Sequence, residues 1–291
     1  IVSDWNAIPE LLNHAVAATP EEAGALALRG GVDMDMAGNL YSTRLKAAVE
    51  ADPGLLPLLD HAVTAVLTAK ERLGLFDDPY GRADPAREAQ AMLTPEHRAV
   101  AREAARRSMV LLKNDQGVLP LRADRIRKLA VLGTHARDTP IGGYSEVPLH
   151  VVSVLEGLEA EGRGKFEVVY SEAVRVTEAR IWAADEVKLV DPAVNARLIE
   201  QAVADARDAD VIVMVLGDNE QTSREAWADN HLGDRASIDL LGQQNDLARA
   251  IFALNKPTVV LLLNGRPLSV NYLAENAPAL IEGWYLGQET G

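Results

Sequence analysis

Asp4 and Trp5 place a carboxylate beside an indole at the head of the chain. A long polar stretch, Gly217-Asp218-Asn219-Glu220-Gln221-Thr222-Ser223-Arg224-Glu225-Ala226-Trp227, runs on to Gly233-Asp234-Arg235 and offers two further candidate carboxylates, Glu220 and Glu225. Two carboxylates can divide acid and nucleophile work between them, one ionised and attacking, the other protonated and donating to a leaving group, which demands opposite pKa shifts. Glycosidic bond hydrolysis needs that division. Its oxocarbenium-like transition state must be shielded on one face while the departing oxygen is protonated on the other. Trp5 suits an apolar wall, because sugar C–H faces stack on aromatic rings while hydroxyls seek carboxylates and Arg. Spacing alone does not single these residues out: the chain has 43 acidic residues, and carboxylates are mostly solvated surface groups.

The elements that must position these groups can be read from periodicity. Ile1 to Asp4 reads as a strand end. Thr19-Pro20-Glu21-Glu22 combines an N-cap Thr, a Pro at the first helical position and a Glu three residues after the cap, so a helix starts there and runs to Gly30-Gly31. Val32 to Met36 reads as the next strand, and strand, helix, strand implies parallel pairing. Leu58, Leu59, Ala62, Val63, Val66 and Leu67 recur at helical spacing and predict a helix over about 54–73. Residues 77–93 lose periodicity and gather Pro, Gly and charge, as an interdomain linker would. Thr94-Pro95-Glu96 opens another capped helix through Ala101 and Ala105.

Beyond it, apolar strands at Leu129–Leu132, Phe166–Tyr170, Val211–Leu216, Val259–Leu263 and Leu280–Tyr285 alternate with helices. One helix face is marked by Leu198, Ile199, Ala202, Val203 and Ala206, another by Leu240, Leu241, Leu247, Ala248, Ile251 and Phe252. This predicts an α/β fold with a mostly parallel, helix-flanked sheet. In such sheets ligands sit at the carboxyl ends of the strands, so chemistry is expected in the loops after Leu132, Leu216 and Leu263. A polar loop as long as the one after Leu216 is usually functional or disordered, and its Trp227 and mixed charges argue against disorder.

Composition removes several other functions. A net charge of -14 disfavours a nucleic-acid partner, whose phosphates demand clustered Lys and Arg. No apolar run approaches the roughly 18 residues a membrane helix needs, so no membrane partner is expected. Zero Cys excludes disulfides and a thiol nucleophile without fixing the compartment. The six His show no ligand spacing such as H-E-x-x-H, and neither a metal nor a cofactor is expected. Leu132-Gly133-Thr134-His135 lacks a G-x-G-x-x-G or Walker pattern and reads as a structural turn. His135 and His231 fall in strand-end loops and could line a pocket, although structural roles are the plainer reading. Ser3 and Ser145 lack the G-x-S-x-G setting of a hydrolase nucleophile.

The wording of several segments adds a resemblance to glycoside hydrolase family 3, in its multidomain β-glucosidase and β-xylosidase form. Val2-Ser3-Asp4-Trp5 is similar to that family's nucleophile signature, and Ala27-Leu28-Arg29-Gly30-Gly31-Val32-Asp33-Met34-Asp35-Met36 resembles the helix and strand that follow. Residues 101–114 and Val118-Leu119-Pro120-Leu121 resemble the entry to its second domain. Gly142-Gly143-Tyr144-Ser145, Asn264-Gly265-Arg266-Pro267-Leu268, Glu275-Asn276-Ala277-Pro278-Ala279 and Trp284-Tyr285-Leu286-Gly287-Gln288-Glu289 are also similar.

The resemblance implies that residues 1–76 are the C-terminal part of a (β/α)8 barrel, that 77–93 are a linker, and that 94–291 are an α/β sandwich domain. It implies a retaining exo-β-glycosidase acting on terminal β-D-glucosyl residues, with a β-xylosidase or dual-specificity enzyme as the alternative. A non-catalytic carbohydrate-binding relative is the rival of a different class. Asp4 is the implied nucleophile. Glu225 is the implied acid/base, because the family's acid/base commonly precedes an Asp-Arg pair, here Asp234-Arg235; Glu220 stays a competitor. Trp5, Glu220 and Tyr144 are the implied substrate contacts. The implied partners are a β-linked oligosaccharide or glycoside and the remaining N-terminal barrel of the same protein. The chain is accordingly expected to be an internal fragment, neither stable nor active alone, with a periplasmic or extracellular location favoured.

Overall fold

The structure is a computed structural model and describes residues 1–81, 83–145, 148–226, 228 and 230–291. The chain divides into two compact units, Ile1–Gln90 and Ala91–Gly291.

The first unit is helical, with α1 (Ala7–Asn13), α2 (Pro20–Arg29), α3 (Leu40–Thr43), α4 (Leu45–Ala51) and α5 (Leu56–Arg72). Thr19 caps α2 as its sequence requires: its hydroxyl accepts from the Glu22 N–H at 3.2 Å, while Glu22 Oε2 accepts from the Ala18 N–H at 2.7 Å. Two small apolar clusters hold these helices together, one around Ile8, Ala23 and Ala27, the other around Leu28, Leu45, Leu55 and Ala62. The two expected strands are reduced to one isolated parallel bridge, Val2 with Met34, and no barrel closes among the described residues. The direction is the one that strand–helix–strand connectivity dictates. Among the described residues no third strand flanks this pair, and a two-stranded pairing is marginal by itself. The stretch read as a linker is partly helical. It contains α6 (Pro85–Ala91), whose first turn is capped by Asp84 Oδ1 accepting from the Ala86 and Arg87 N–H groups at 2.9 and 3.2 Å.

The second unit is a six-stranded mixed sheet between helices. Its strands are β1 (Val110–Asn114), β2 (Lys128–Leu132), β3 (Glu167–Ser171), β4 (Val211–Gly217), β5 (Thr258–Leu263) and β6 (Ala279–Glu282), in the order β1-β6-β5-β4-β2-β3. All neighbours are parallel except β1, which pairs antiparallel with β6. Every residue of β4 and β5 is buried, which is why both read as unbroken apolar runs. Ile212, Met214 and Leu216 pack into one core with α10 (Pro192–Ala206) and α11 (Gln244–Phe252). The alternate residues Val211, Val213 and Val215 pack into the other core, with Ala105 of α7 (Pro95–Ser108), Ala136 of α8 (Thr134–Arg137) and Val154 and Leu155 of α9 (Val154–Gly162).

Two readings are corrected here, and one strand, β1, is added to those predicted. The antiparallel edge strand β1 carries no alternation, because Val110, Leu111 and Leu112 are all exposed. The strand predicted over Leu280–Tyr285 ends at Glu282. Leu240 is buried in the core as its apolar character requires, but it and Leu241 precede α11, in an extended segment bridged at Asp239 to Ser269.

Candidate functional site

In the first unit, the chain leaving the Val2–Met34 bridge is pinned to the opposing segment. Ser3 Oγ accepts from the Met36 N–H at 2.8 Å and donates to the Asp4 carbonyl at 2.9 Å, while the Asn6 N–H donates to the Met36 carbonyl at 2.9 Å. Asp4 is exposed, with Oδ1 accepting from the Trp5 N–H at 2.7 Å. Trp5 beside it is 72% exposed, an uncovered indole next to an uncovered carboxylate.

In the second unit, a polar cluster stands where β4, β5 and β6 end. Gly217 closes β4 with φ of 146°, and a Cβ there would lie 1.8 Å from the Leu263 carbonyl oxygen, so the strand can turn here only as Gly. The Gln244 carboxamide, at the start of α11, satisfies both backbone groups of Gly217. Its Oε1 accepts from the N–H and its Nε2 donates to the carbonyl, each at 2.8 Å. Asp218 follows, 1% exposed. Its Oδ1 accepts from the Gly265 N–H at 2.9 Å and from the Tyr285 hydroxyl at 2.8 Å. Burial pushes the Asp218 carboxyl up to about 6, only partly offset by those donors and by the charges of Arg235 and Arg266. Burial also raises the Tyr285 phenol far above its ordinary range, with the Asp218 charge adding to it, so it stays a neutral donor. Glu282 is raised chiefly by burial as well, against the opposing Trp284 N–H at 2.9 Å.

The long loop leaves from Asp218 and separates its two acids. Burial favours the neutral form of Glu220, but the Arg180 charge and several hydrogen bonds outweigh it and hold the carboxyl below its ordinary value. Arg180 Nη2 lies 2.9 and 2.8 Å from the two carboxylate oxygens, and the Ile141 N–H donates to Oε1 at 3.1 Å. Glu225 is exposed, and its carboxylate takes no hydrogen bond among the described residues. Next to it, the Arg224 guanidinium lies 3.3 Å from the centroid of the Trp182 ring, and Tyr144, 94% exposed, meets the same indole edge-on at 5.5 Å. Trp182, Arg180, Glu220 and Gln221 line a cavity of about 520 Å³ with Asp138, Thr139 and Ile141. Trp227, the loop's own aromatic, lies outside the described residues.

Glu220, Tyr144 and the segment bearing Glu225 are thus gathered around Trp182, while Asp4 and Trp5 form the polar feature of the first unit. His135 is buried, lines a cavity of about 290 Å³ and is driven down to about 4 chiefly by desolvation, so it is neutral. His231 Nδ1 accepts from the Gly233 N–H at 3.0 Å. Sequence reasoning missed Trp182 and Arg180, which sit in an aperiodic segment, and the pairing of Asp218 with Tyr285. Only Asp218 carried a signal, as the acidic residue directly after a predicted strand.

A family model described as the glycosyl hydrolase family 3 C-terminal domain matches residues 109–291. A β-xylosidase from Formosa agariphila is 36% identical across 100% of this chain and 39% of its own length. A periplasmic β-glucosidase from Salmonella typhimurium is also 36% identical, across 100% of this chain and 38% of its own. Among solved structures, a β-glucosidase from Erythrobacter marinus superposes with a TM-score of 0.88 at 42% identity, covering 99% of this chain and 39% of that one. The chain belongs to glycoside hydrolase family 3. It spans under two fifths of the length of each of these three relatives.

Proposed function

We propose that this chain carries both catalytic carboxylates of a retaining exo-β-glycosidase that removes terminal nonreducing β-D-glucosyl residues. The Asp4 carboxylate attacks the anomeric carbon and the bond to the leaving oxygen breaks as Glu225 gives that oxygen its proton. Glu225 then takes a proton from water, whose oxygen attacks the same carbon and releases Asp4 as a carboxylate. The observation that carries the assignment is the contrast between the two loop acids. Glu220 is committed to Arg180 and the Ile141 N–H and held ionised, while Glu225 is exposed and takes no hydrogen bond among the described residues. A proton donor needs a carboxyl that is not already locked into an ion pair, which favours Glu225 for the chemistry and leaves Glu220, like Trp5 and Tyr144, as a proposed substrate contact.

The Formosa relative is named a β-xylosidase at the same identity as the β-glucosidase from Salmonella, which supports a β-xyloside or mixed substrate as a second reading. A purely carbohydrate-binding role is disfavoured by the presence of both acids. Residues 1–76 are proposed as the tail of a (β/α)8 barrel, the Val2–Met34 bridge being the beginning of its parallel ladder. The rest of that barrel is the proposed partner in the same protein. A periplasmic or extracellular location is proposed from the name of the Salmonella relative. No described helix is long and apolar enough to cross a membrane.

The test is azide rescue in the full-length protein. Glu225→Ala should lose about 10²- to 10⁴-fold in turnover, the usual contribution of general acid–base catalysis, and regain rate in azide with release of a β-glycosyl azide. Rescue of Glu220→Ala, with none for Glu225→Ala, would transfer the role to Glu220.

A further inference from the structure

The peptide units on either side of Glu225 are held, while its carboxylate takes no hydrogen bond among the described residues. The Arg224 carbonyl, one bond before Glu225, accepts from Arg266 Nη2 at 3.1 Å. The Ala226 N–H, one bond after it, donates to Asp234 Oδ2 at 3.2 Å. The returning limb of the loop presses on the same place. A Cβ on Gly233 would lie 2.1 Å from the Arg224 carbonyl oxygen and 2.9 Å from the Glu225 carbonyl carbon. Two residues earlier, Ser223 Oγ lies 2.9 Å from the Tyr285 hydroxyl, which itself donates to Asp218, and Asp218 is fixed by the Gly265 N–H. A hydrogen-bonded chain therefore runs from the ends of β5 and β6 into the loop. It contains a buried carboxylate that the proposed reaction does not use. Keeping Asp218 out of water is unfavourable, and what it does here is orient Tyr285.

We propose that Tyr285 and Arg266 are positioning residues for Glu225, holding segment 223–226 so that its carboxyl reaches the leaving-group oxygen; this rests on the assignment of Glu225 as acid/base. Neither touches the reacting atoms. A misplacement of about 1 Å in a catalytic group can cost about 10²-fold, and here the loss would fall on one step, proton delivery to the leaving group.

That restriction gives a readout that a merely structural role would not move. The parameter kcat/KM reports the step in which the glycosyl–oxygen bond breaks. It should be measured in the full-length protein for aryl and alkyl β-glycosides of graded leaving-group basicity, with Tyr285→Phe, Arg266→Met and, as the smallest change, Ser223→Ala. Substrates with alkoxide leaving groups need the proton and should lose roughly 10- to 100-fold, while a 2,4-dinitrophenyl glycoside, whose leaving group departs unprotonated, should lose less than about threefold. Glu225→Gln, run in parallel, should show the same gradation more steeply. A uniform loss across leaving groups in the Tyr285, Arg266 and Ser223 variants, or no loss, with Glu225→Gln still graded, overturns the positioning role and leaves Glu225 in place. An ungraded Glu225→Gln overturns the acid/base assignment and the positioning role with it.

Discussion

Asp218 and Glu220 are two residues apart, and their surroundings push them in opposite directions. Burial raises Asp218 from 3.8 to about 6, so the folded chain binds its proton more tightly than the unfolded chain does. The stabilisation this gives is full below about pH 3.8 and is lost as the pH rises through about 6. Glu220 is lowered by its ion pair with Arg180, so its stabilisation is present above its ordinary 4.5 and is lost as the pH falls. Asp218→Asn, which keeps an acceptor for Tyr285 but does not titrate, should therefore gain on the parent protein by up to about 3 kcal/mol between pH 4 and pH 7, since a shift of one unit is worth about 1.4 kcal/mol. Urea unfolding of both proteins at the two pH values measures that gain, and a constant parent–variant difference would show that Asp218 is not held neutral. At this scale type and local wording are what put Asp4, Trp5, Glu220, Glu225 and Tyr144 forward as expected site residues. The sequence hid Arg180, Trp182 and Tyr285, because the contacts of Arg180 with Glu220, Arg224 with Trp182 and Tyr285 with Asp218 span 40, 42 and 67 residues and leave no periodicity to read.

At the level of elements, legibility followed burial. β2, β4 and β5 are near-continuous apolar runs because helices cover both faces of the sheet, and their positions were plain. The edge strand β1 and the end of β6 were not, since an edge strand with an exposed surface shows no alternation and Trp284-Tyr285 continues the apolar run past the last ladder bond. α6 was signalled by Asp84-Pro85, a cap and a first-turn Pro, but the absence of any buried face removed its periodicity. The join between β4 and α11 depends on one side chain. Gln244→Leu leaves the buried N–H and carbonyl of Gly217 without partners, and unfilled buried groups cost about 1–3 kcal/mol each. A loss of about 3 kcal/mol in unfolding free energy is expected. Gln244→Glu, which keeps only the acceptor, should not restore it. A loss below about 0.5 kcal/mol would mean that the strand end is satisfied by something other than this carboxamide.

For the molecule as a whole, the two units differ in what holds each together. The second has two full cores on either side of a six-stranded sheet. The first has helices, one parallel bridge and an acid–indole pair left open to solvent. Family membership was legible from local wording, while the assignment of residues 1–76 to the C-terminal part of a (β/α)8 barrel rests on the resemblance alone, because parallel pairing joins strands that lie far apart in sequence. The central claim is that Asp4 forms a covalent bond to the sugar. The most direct test is to treat the full-length protein with a 2-deoxy-2-fluoro-β-glucoside carrying a good leaving group, digest it and map the labelled peptide by mass spectrometry. The account predicts a fluoroglucosyl ester on Asp4, with activity returning as the ester hydrolyses. A folded, sugar-binding protein that takes no label, or takes it on another carboxylate, would contradict it.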